Sequence, residues 1–374
     1  MKLFSRNFTY VGLAEITSNV SIGIFMLILT FLLEPEEYGW IIFILALSGM
    51  ISVSSTIISP HAATVLISKN NSISYQINFL ILLSSLIVAI PVFLIFEEIN
   101  ITLLSISLTI GSITLSSLLA EKKFETYAKY LILQKISLIS LSLFLLHFFG
   151  VSGILFGMVL SYIPLIIKFS KKLRFERNVR LLDEKKGFLV FSYFLKVVDS
   201  SKGYLDKLIL VPILGLTFLG NYAISFQVIS ILTIFSSSIF TYILPLQSTG
   251  KISNKIKYYS IITSFFLTVF GILAVPEMIK ILIPKYIFSI EAIKIMSLSI
   301  IPITINLLYW SKYLASENSR ILLITRSITT SIIVVGFIIV GKEYEMIGIS
   351  YIFVISHFSE MVMLWIYSRK INYV

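Results

Sequence analysis

The chain reads as an all-α polytopic membrane protein, with about twelve transmembrane helices in two six-helix bundles. Three observations predict this. Of 374 residues, 57% are hydrophobic and only 13% charged, and the mean hydropathy is +0.96. A soluble domain of this length has no way to hide so much apolar surface, whereas helices in lipid expose it freely. Apolar stretches of roughly 20 residues, enough to cross a hydrocarbon core, recur along the sequence. Basic residues then gather in alternate connections, as a polytopic topology requires.

In chain order, MKLFSRNF leads into a first span at about 8 to 33, with no A-x-A-like cleavage site, so a retained helix is expected. The acidic turn EPEEYG precedes span two (39 to 67), and Lys69 to Asn71 precede span three (75 to 96). EEIN leads to span four (101 to 119), and spans five and six (129 to 149, 151 to 168) meet at Gly150. Spans seven and eight (190 to 214, 217 to 244) flank Gly215. Span nine (257 to 275) precedes VPEMIKILIPKY, span ten covers 293 to 315, and GKEYE separates spans eleven (321 to 340) and twelve (346 to 367). The predicted domains are an N-terminal bundle, 1 to 168, a basic cytoplasmic linker, 169 to 187, and a C-terminal bundle, 188 to 374.

The net charge of +11 follows topology. Eight basic residues lie between Lys168 and Lys186, while the loops after spans one and three carry acids and no base. The positive-inside rule therefore places both termini in the cytoplasm of a multi-pass cell-membrane protein. The excess is explained by orientation and by attraction to anionic lipid, so no nucleic-acid partner is expected. There is no cysteine, and the three histidines are dispersed, which leaves no metal signature. No P-loop or nucleophile elbow occurs, and no cofactor is expected. The two halves, each of six spans, share an orientation and hold weak internal matches. At an offset of 184, Glu15, Leu32 and Tyr38 align with Asp199, Leu216 and Tyr222; at 195, Gly153-Ile154 aligns with Gly348-Ile349. Parallel repeats place a substrate between halves near the midplane.

The costliest feature is a charged stripe at membrane depth. Lys196, Asp199, Lys202, Asp206 and Lys207 fall within an arc of about 140° on a helical wheel. The apolar run from Leu208 to Leu219 covers only about 18 Å, so the span must include some of these charges. Such residues usually face a bundle interior or wet cavity. The lysines suit a phosphate; alternatively the stripe is a self-neutralised ladder, or Lys196 and Lys202 snorkel to headgroups. Glu15 and Asn19, at i and i+4 in span one, are candidates for ion coupling or cavity lining, and Glu15 could instead pair with a lysine of span seven. Lys312 and Arg326 join the cationic candidates, with Asn306, Tyr309 and Tyr313 at helical spacing beside them. His357 and Glu360, at i and i+3, suit a proton relay or a satisfied interhelical pair.

The stretch YLDKLILVPILGLTFLGNYAISFQV (204 to 228) resembles the seventh and eighth helices of Wzx-type polysaccharide flippases, through Asp206, Lys207, Leu214, Gly215, Gly220 and Tyr222. LLEPEEYGWIIF (32 to 43) and VPEMIKILIPKYIFSIEAIKIMSLSIIP (275 to 302) are similar echoes. The resemblance implies the MATE-like fold of the superfamily that also holds drug/ion antiporters and lipid II flippases. It implies cavity arginines too, of which the first six spans have none buried. The function expected is transfer of a lipid-linked oligosaccharide, a glycan on a polyprenyl diphosphate, to the external leaflet by alternating access. Membrane lipid and a coupling proton or sodium ion would be the other partners. The alternatives are a MATE-like antiporter of small organic cations and a polytopic glycan polymerase or transferase. The surplus lysines oppose the first alternative, and short external loops oppose the second.

Overall fold

The computed structural model describes residues 2–70, 73–173, 186–248, 254–315 and 319–371. The helices are α1 (Lys2–Leu32), α2 (Pro35–Ser55), α3 (Pro60–Lys69), α4 (Ile73–Phe96), α5 (Ile99–Ala120), α6 (Phe124–Leu160) and α7 (Ile163–Ser170). They continue with α8 (Lys186–Leu214), α9 (Leu216–Leu232), α10 (Ile234–Ser248), α11 (Asn254–Leu282), α12 (Ser289–Ser297), α13 (Ile300–Ala315) and α14 (Ser319–Ile371). Among the described residues, seven helices are long and apolar enough to cross a membrane, or nine if two bent pairs each count as one span. The bends are 43° between α9 and α10 and 46° between α12 and α13. Two of the seven are hairpins. Gly150 turns α6 with φ +59°, and Glu345 turns α14 with φ +43°. With the charged α8, this arrangement matches the twelve spans. It is a multi-pass membrane protein.

Two compact units are present, and neither follows the midpoint of the chain. The first holds residues 1–29 and 44–204; the second holds 30–43 and 205–374. The basic stretch from 174 to 185 lies outside the described residues.

In the first unit, apolar faces of α3, α4 and α5 close around Ile67, Ile77, Ile81 and Ile113, with Phe169 of α7. The span predicted as continuous from 39 to 67 is broken after Ser55. Pro60 cannot continue a preceding helix but suits the first turn of α3, which Ser59 caps by accepting from the Ala62 amide at 3.2 Å. A break at membrane depth strands backbone carbonyls, and lipid offers no donor. Ser84 supplies one, donating to the Ser55 carbonyl at 2.7 Å, while Ser55 and Ser52 bond Thr109 of α5. The α6 hairpin closes through small residues: a Cβ on Gly153 would lie 2.1 Å from the Leu145 carbonyl, and Ser142 donates to the Ile154 carbonyl.

The turn between α5 and α6 carries Glu121, whose carboxylate is held by Lys123 at 2.7 Å and by Lys172 just beyond α7. Burial raises its pKa, but these two ammonium groups outweigh burial and lower it below the usual 4.5. A carboxylate with a depressed folded-state pKa contributes stability above its unfolded pKa and loses it as pH falls through the folded value. Thermal unfolding in detergent should therefore show an acid-side loss below about pH 4.5, worth about 1 kcal/mol. The Glu121→Gln variant should lack that component.

In the second unit, the 30–43 segment packs on α9 at backbone distance. A Cβ on Gly39 would lie 2.0 Å from the Leu216 carbonyl, and one on Gly220 would lie 2.0 Å from the Pro35 carbonyl. Tyr38 is fully buried, donates to Gln227 at 2.9 Å, and meets the edge of Tyr286 at 6.0 Å. Tyr286, in the turn after α11, donates to the Leu33 carbonyl at 3.2 Å. Burial and the Glu34 and Glu37 carboxylates push its pKa up, so it stays a donor. Ser236 bonds Thr304 at 2.7 Å, joining α10 to α13.

Candidate functional site

The charged stripe of α8 is divided between the units. Lys196 belongs to the first, where it is partly buried. Asp199 and Lys202 lie on the same helical stretch, and their side chains lie outside the described residues. Asp206 and Lys207 belong to the second unit.

There, Asp206 is 4% exposed and accepts from the Tyr222 hydroxyl at 3.1 Å. Lys207 lies 3.2 Å from the same carboxylate and sits over the Phe226 ring at 4.5 Å. An ion pair of sequence neighbours on one helix face is unusual, because adjacent residues point about 100° apart. It forms here because α9 encloses both side chains. Tyr222 follows the close Gly220 approach, which fixes its hydroxyl over Asp206. Rings then continue the chain of contacts: Tyr222 to Phe226 and Phe337, Phe226 to Phe353 at 6.1 Å, and Phe353 to His357 at 4.7 Å.

His357 begins a second buried charged group. Its Nδ1 lies 3.9 Å from Glu360, which is 2% exposed. Glu360 also accepts from the Trp310 indole N–H at 3.2 Å and lies 3.9 Å from Arg326 Nε. The Arg326 guanidinium stacks on Trp310 at 3.8 Å from the ring centre. Asn306 donates to the His357 carbonyl at 3.1 Å, while Tyr313 donates to the Leu364 carbonyl at 2.9 Å. The sequence candidates Arg326, His357, Glu360, Asn306 and Tyr313 thus converge on α13 and the two arms of α14. Trp310 joins them without having been singled out, although it lies one turn from both Asn306 and Tyr313. Lys312, on the same α13, is partly buried, and among the described residues no hydrogen bond or ion pair joins it to this group.

This arrangement has two chemical capacities. His357 and Glu360, 3.9 Å apart, are beyond a direct hydrogen bond and would pass a proton only through a small side-chain shift or one intervening water. Arg326 presents a planar cation stacked on indole, and an anionic ligand would compete with Glu360 for it.

The first unit holds a separate group. Glu15, exposed at the surface of its unit, accepts from the Tyr127 hydroxyl of α6 and interacts electrostatically with Lys135. Asn19 is exposed one turn further on. The partner of Glu15 described here is Tyr127, where sequence reasoning had suggested a lysine of span seven. Lys135 was missed: it is a single cation inside LILQKISLIS, about 17 Å along α6 from its start. Among the described residues, no group of three or more acidic or histidine side chains could hold a metal ion.

No family model matches the sequence, and no curated protein matches it. Solved structures do. Lipid II flippase MurJ, in an inward closed conformation, superposes with a TM-score of 0.77 at 14% identity, covering 96% of this chain and 87% of MurJ. An inward-facing multidrug resistance MATE transporter of the MOP superfamily gives 0.67 at 12%, covering 94% and 93%. A MOP superfamily transporter from Pyrococcus furiosus Vc1, described as having a binding pocket of reversed polarity, gives 0.56 at 13%, covering 98% and 94%. At such identities what is shared is architecture: the chain has the fold of MurJ and the MATE transporters.

Proposed function

We propose that this protein is a membrane transporter that flips a lipid-linked oligosaccharide from the cytoplasmic to the external leaflet, by alternating access, during cell-surface polysaccharide assembly. The observation that carries the reading is the group of buried Glu360 and His357 with partly buried Arg326 on membrane helices, continued through ring contacts to Asp206 and Lys207. Charges inside a membrane protein are expensive and characteristically line a path for substrate or ions. A diphosphate has the charge that Arg326 and Lys207 complement, and a glycan has the hydroxyls that Trp310, Asn306 and Tyr309 can stack on or bond. The likeness to a lipid II flippase over nearly the whole chain supports a lipid-linked substrate. Charge distribution favours cytoplasmic termini and an entry side facing the cytoplasm. The polymerase or transferase reading gains nothing, since the shared fold is that of flippases and transporters.

Reconstitution into vesicles with a fluorescent polyprenyl-diphosphate oligosaccharide tests this. Wild-type protein should expose inner-leaflet probe to an external quencher, and Arg326→Gln should slow that exposure by at least about tenfold, the loss expected for one charge-assisted contact. A rate equal to protein-free vesicles would remove the proposal. One observation favours a second reading, ion-coupled antiport of small organic cations: the Glu15 carboxylate bonded to Tyr127 in the first unit. Efflux of a cationic dye driven by a proton or sodium gradient, abolished in Glu15→Gln, would select it.

A further inference from the structure

Lys196 is the one member of the α8 stripe whose described side chain belongs to the first unit, and the transport reading leaves it without a role. It is partly buried, and among the described residues it makes no hydrogen bond or ion pair. The described carboxylates of this unit are engaged elsewhere or lie far along the chain. Glu15 accepts from Tyr127 and interacts with Lys135, Glu121 is held by Lys123 and Lys172, and Glu125 pairs with Lys129 at 2.9 Å. Glu97 and Glu98 stand in the turn from α4 to α5, at the end that charge distribution assigns to the outside. An ammonium at membrane depth without a counter-ion is costly, and such groups face a wet cavity or a ligand.

The direction of Lys196 follows from its helix. Phe191 and Phe194 are 58% and 61% exposed and mark the lipid side of α8. At 3.6 residues per turn, Lys196 is rotated about 140° from the first and about 160° from the second, so its stem does not run along lipid to the headgroups. Tyr193 donates to the Ser54 carbonyl at 3.2 Å, and Tyr204 lies on Gly49, where a Cβ would be 2.5 Å from the tyrosine Cζ. These two contacts dock α8 on α2 on either side of Lys196. Gly203, two turns on, falls within about 20° of Lys196 around the helix. It is exposed, and a Cβ there would meet nothing within 4 Å. The ammonium therefore stands between a packed face and open space, where a ligand can reach it. The Tyr204 hydroxyl, also without a hydrogen bond among the described residues, adds a second polar group from a residue about 12 Å further along the helix.

We infer that Lys196 binds an oxyanion of the substrate, as a contact supplied by the first unit, with Tyr204 placed further along for a sugar hydroxyl. The inference rests on the lipid-linked oligosaccharide reading and adds to it a residue apart from Arg326 and Lys207. A compact, strongly hydrated ammonium suits a carboxylate or a phosphate oxygen. The oxyanion is therefore either the carboxylate of an acidic sugar in the glycan or a phosphate of the lipid.

Equilibrium binding to the purified protein in detergent distinguishes these sources, with trigalacturonic acid, neutral galactotriose and inorganic pyrophosphate as probes. Lys196→Gln should weaken binding of trigalacturonate or of pyrophosphate by at least about tenfold, the loss expected of one charge-assisted contact, and Lys196→Arg should retain it. A loss for trigalacturonate assigns the residue to an acidic glycan; a loss for pyrophosphate assigns it to lipid phosphate. Asp199→Asn, which removes the nearest carboxylate in sequence, should tighten anion binding without lowering the unfolding temperature. Unchanged affinity for both anions in Lys196→Gln, or an equal loss for galactotriose, would overturn the inference. So would a fall in unfolding temperature in Lys196→Gln and Asp199→Asn alike, the mark of an internal ladder. A protein that binds an anion through Lys196 yet leaves the fluorescent lipid unflipped would remove the transport reading and keep the oxyanion site.

Discussion

Glu360→Ala is expected to destabilise the protein by about 3 kcal/mol, because it strips a mostly buried guanidinium of its counter-ion. The Arg326 side chain is 26% exposed, so solvent recovers part of the loss and the figure sits at the lower end for a broken buried pair. The Trp310 N–H loses its acceptor at the same time, adding an unsatisfied donor. Replacing both partners, as in Arg326→Met with Glu360→Leu, should restore most of that stability, since an apolar pair of similar volume removes the desolvation cost of both charges. Thermal unfolding in detergent of Arg326→Met, Glu360→Leu and the double variant, beside the wild type, forms a double-mutant cycle, and a coupling energy near zero would show that the pair is not one unit. The same double variant should remain folded and be defective in flipping, which separates a transport role from a structural one.

Gly39→Val and Gly220→Val should each be as damaging. No rotamer relieves the clash, because the obstructing atoms are backbone carbonyls 2.0 Å from the added Cβ. The two segments would have to part, exposing Tyr38 and disturbing Tyr222 over Asp206. Overpacking of a backbone contact costs about 3 kcal/mol or more, enough to lower folded yield sharply. Gly203→Ala is the control: nothing lies within 4 Å of its Cβ, so the change should be neutral or stabilising by up to about 1 kcal/mol. Yield of monodisperse protein by fluorescence-detected size exclusion separates the two cases.

These glycines show what was legible in the sequence and how. Gly215, Gly220 and Tyr222 were readable as a pattern resembling Wzx-type flippases, and the structure supplies physical reasons for each. Gly215 takes φ +84° ahead of α9, Gly220 admits the Pro35 backbone, and Tyr222 bonds Asp206. Span number and the reversals at Gly150 and Glu345 were legible because lipid imposes a length and loops interrupt it. The bend after Leu232 was not, since no proline or glycine marks it, whereas the one after Ser297 had a signal in Pro302, which has no amide proton for the Leu298 carbonyl. The break before Pro60 had its Ser-Pro signal, which a window average over 39 to 67 smooths away. Within the site, polar residues at helical spacing were legible, as with His357 and Glu360. Pairing across helices was not, because Glu15 with Tyr127 and Glu360 with Trp310 join residues separated by 112 and 50 positions. Hydropathy also leaves the stripe on α8 as one face, whereas its assignment to two units depends on tertiary packing around Tyr204 and Leu205.

Membership of residues 30–43 in the second unit has a consequence for biosynthesis. Those residues leave the ribosome early, yet Tyr38, Ile41 and Ile42 reach burial in a unit whose remaining residues begin at Leu205. Long-range contacts of this kind form late and leave apolar or polar surface waiting in the interim. The nascent chain must therefore hold the end of its first helix and the start of its second unpacked until α9 and the turn after α11 have been made. A nascent chain halted before Leu205 would carry Tyr38 with a hydroxyl lacking its acceptor, a natural signal for quality control to recognise an unfinished protein.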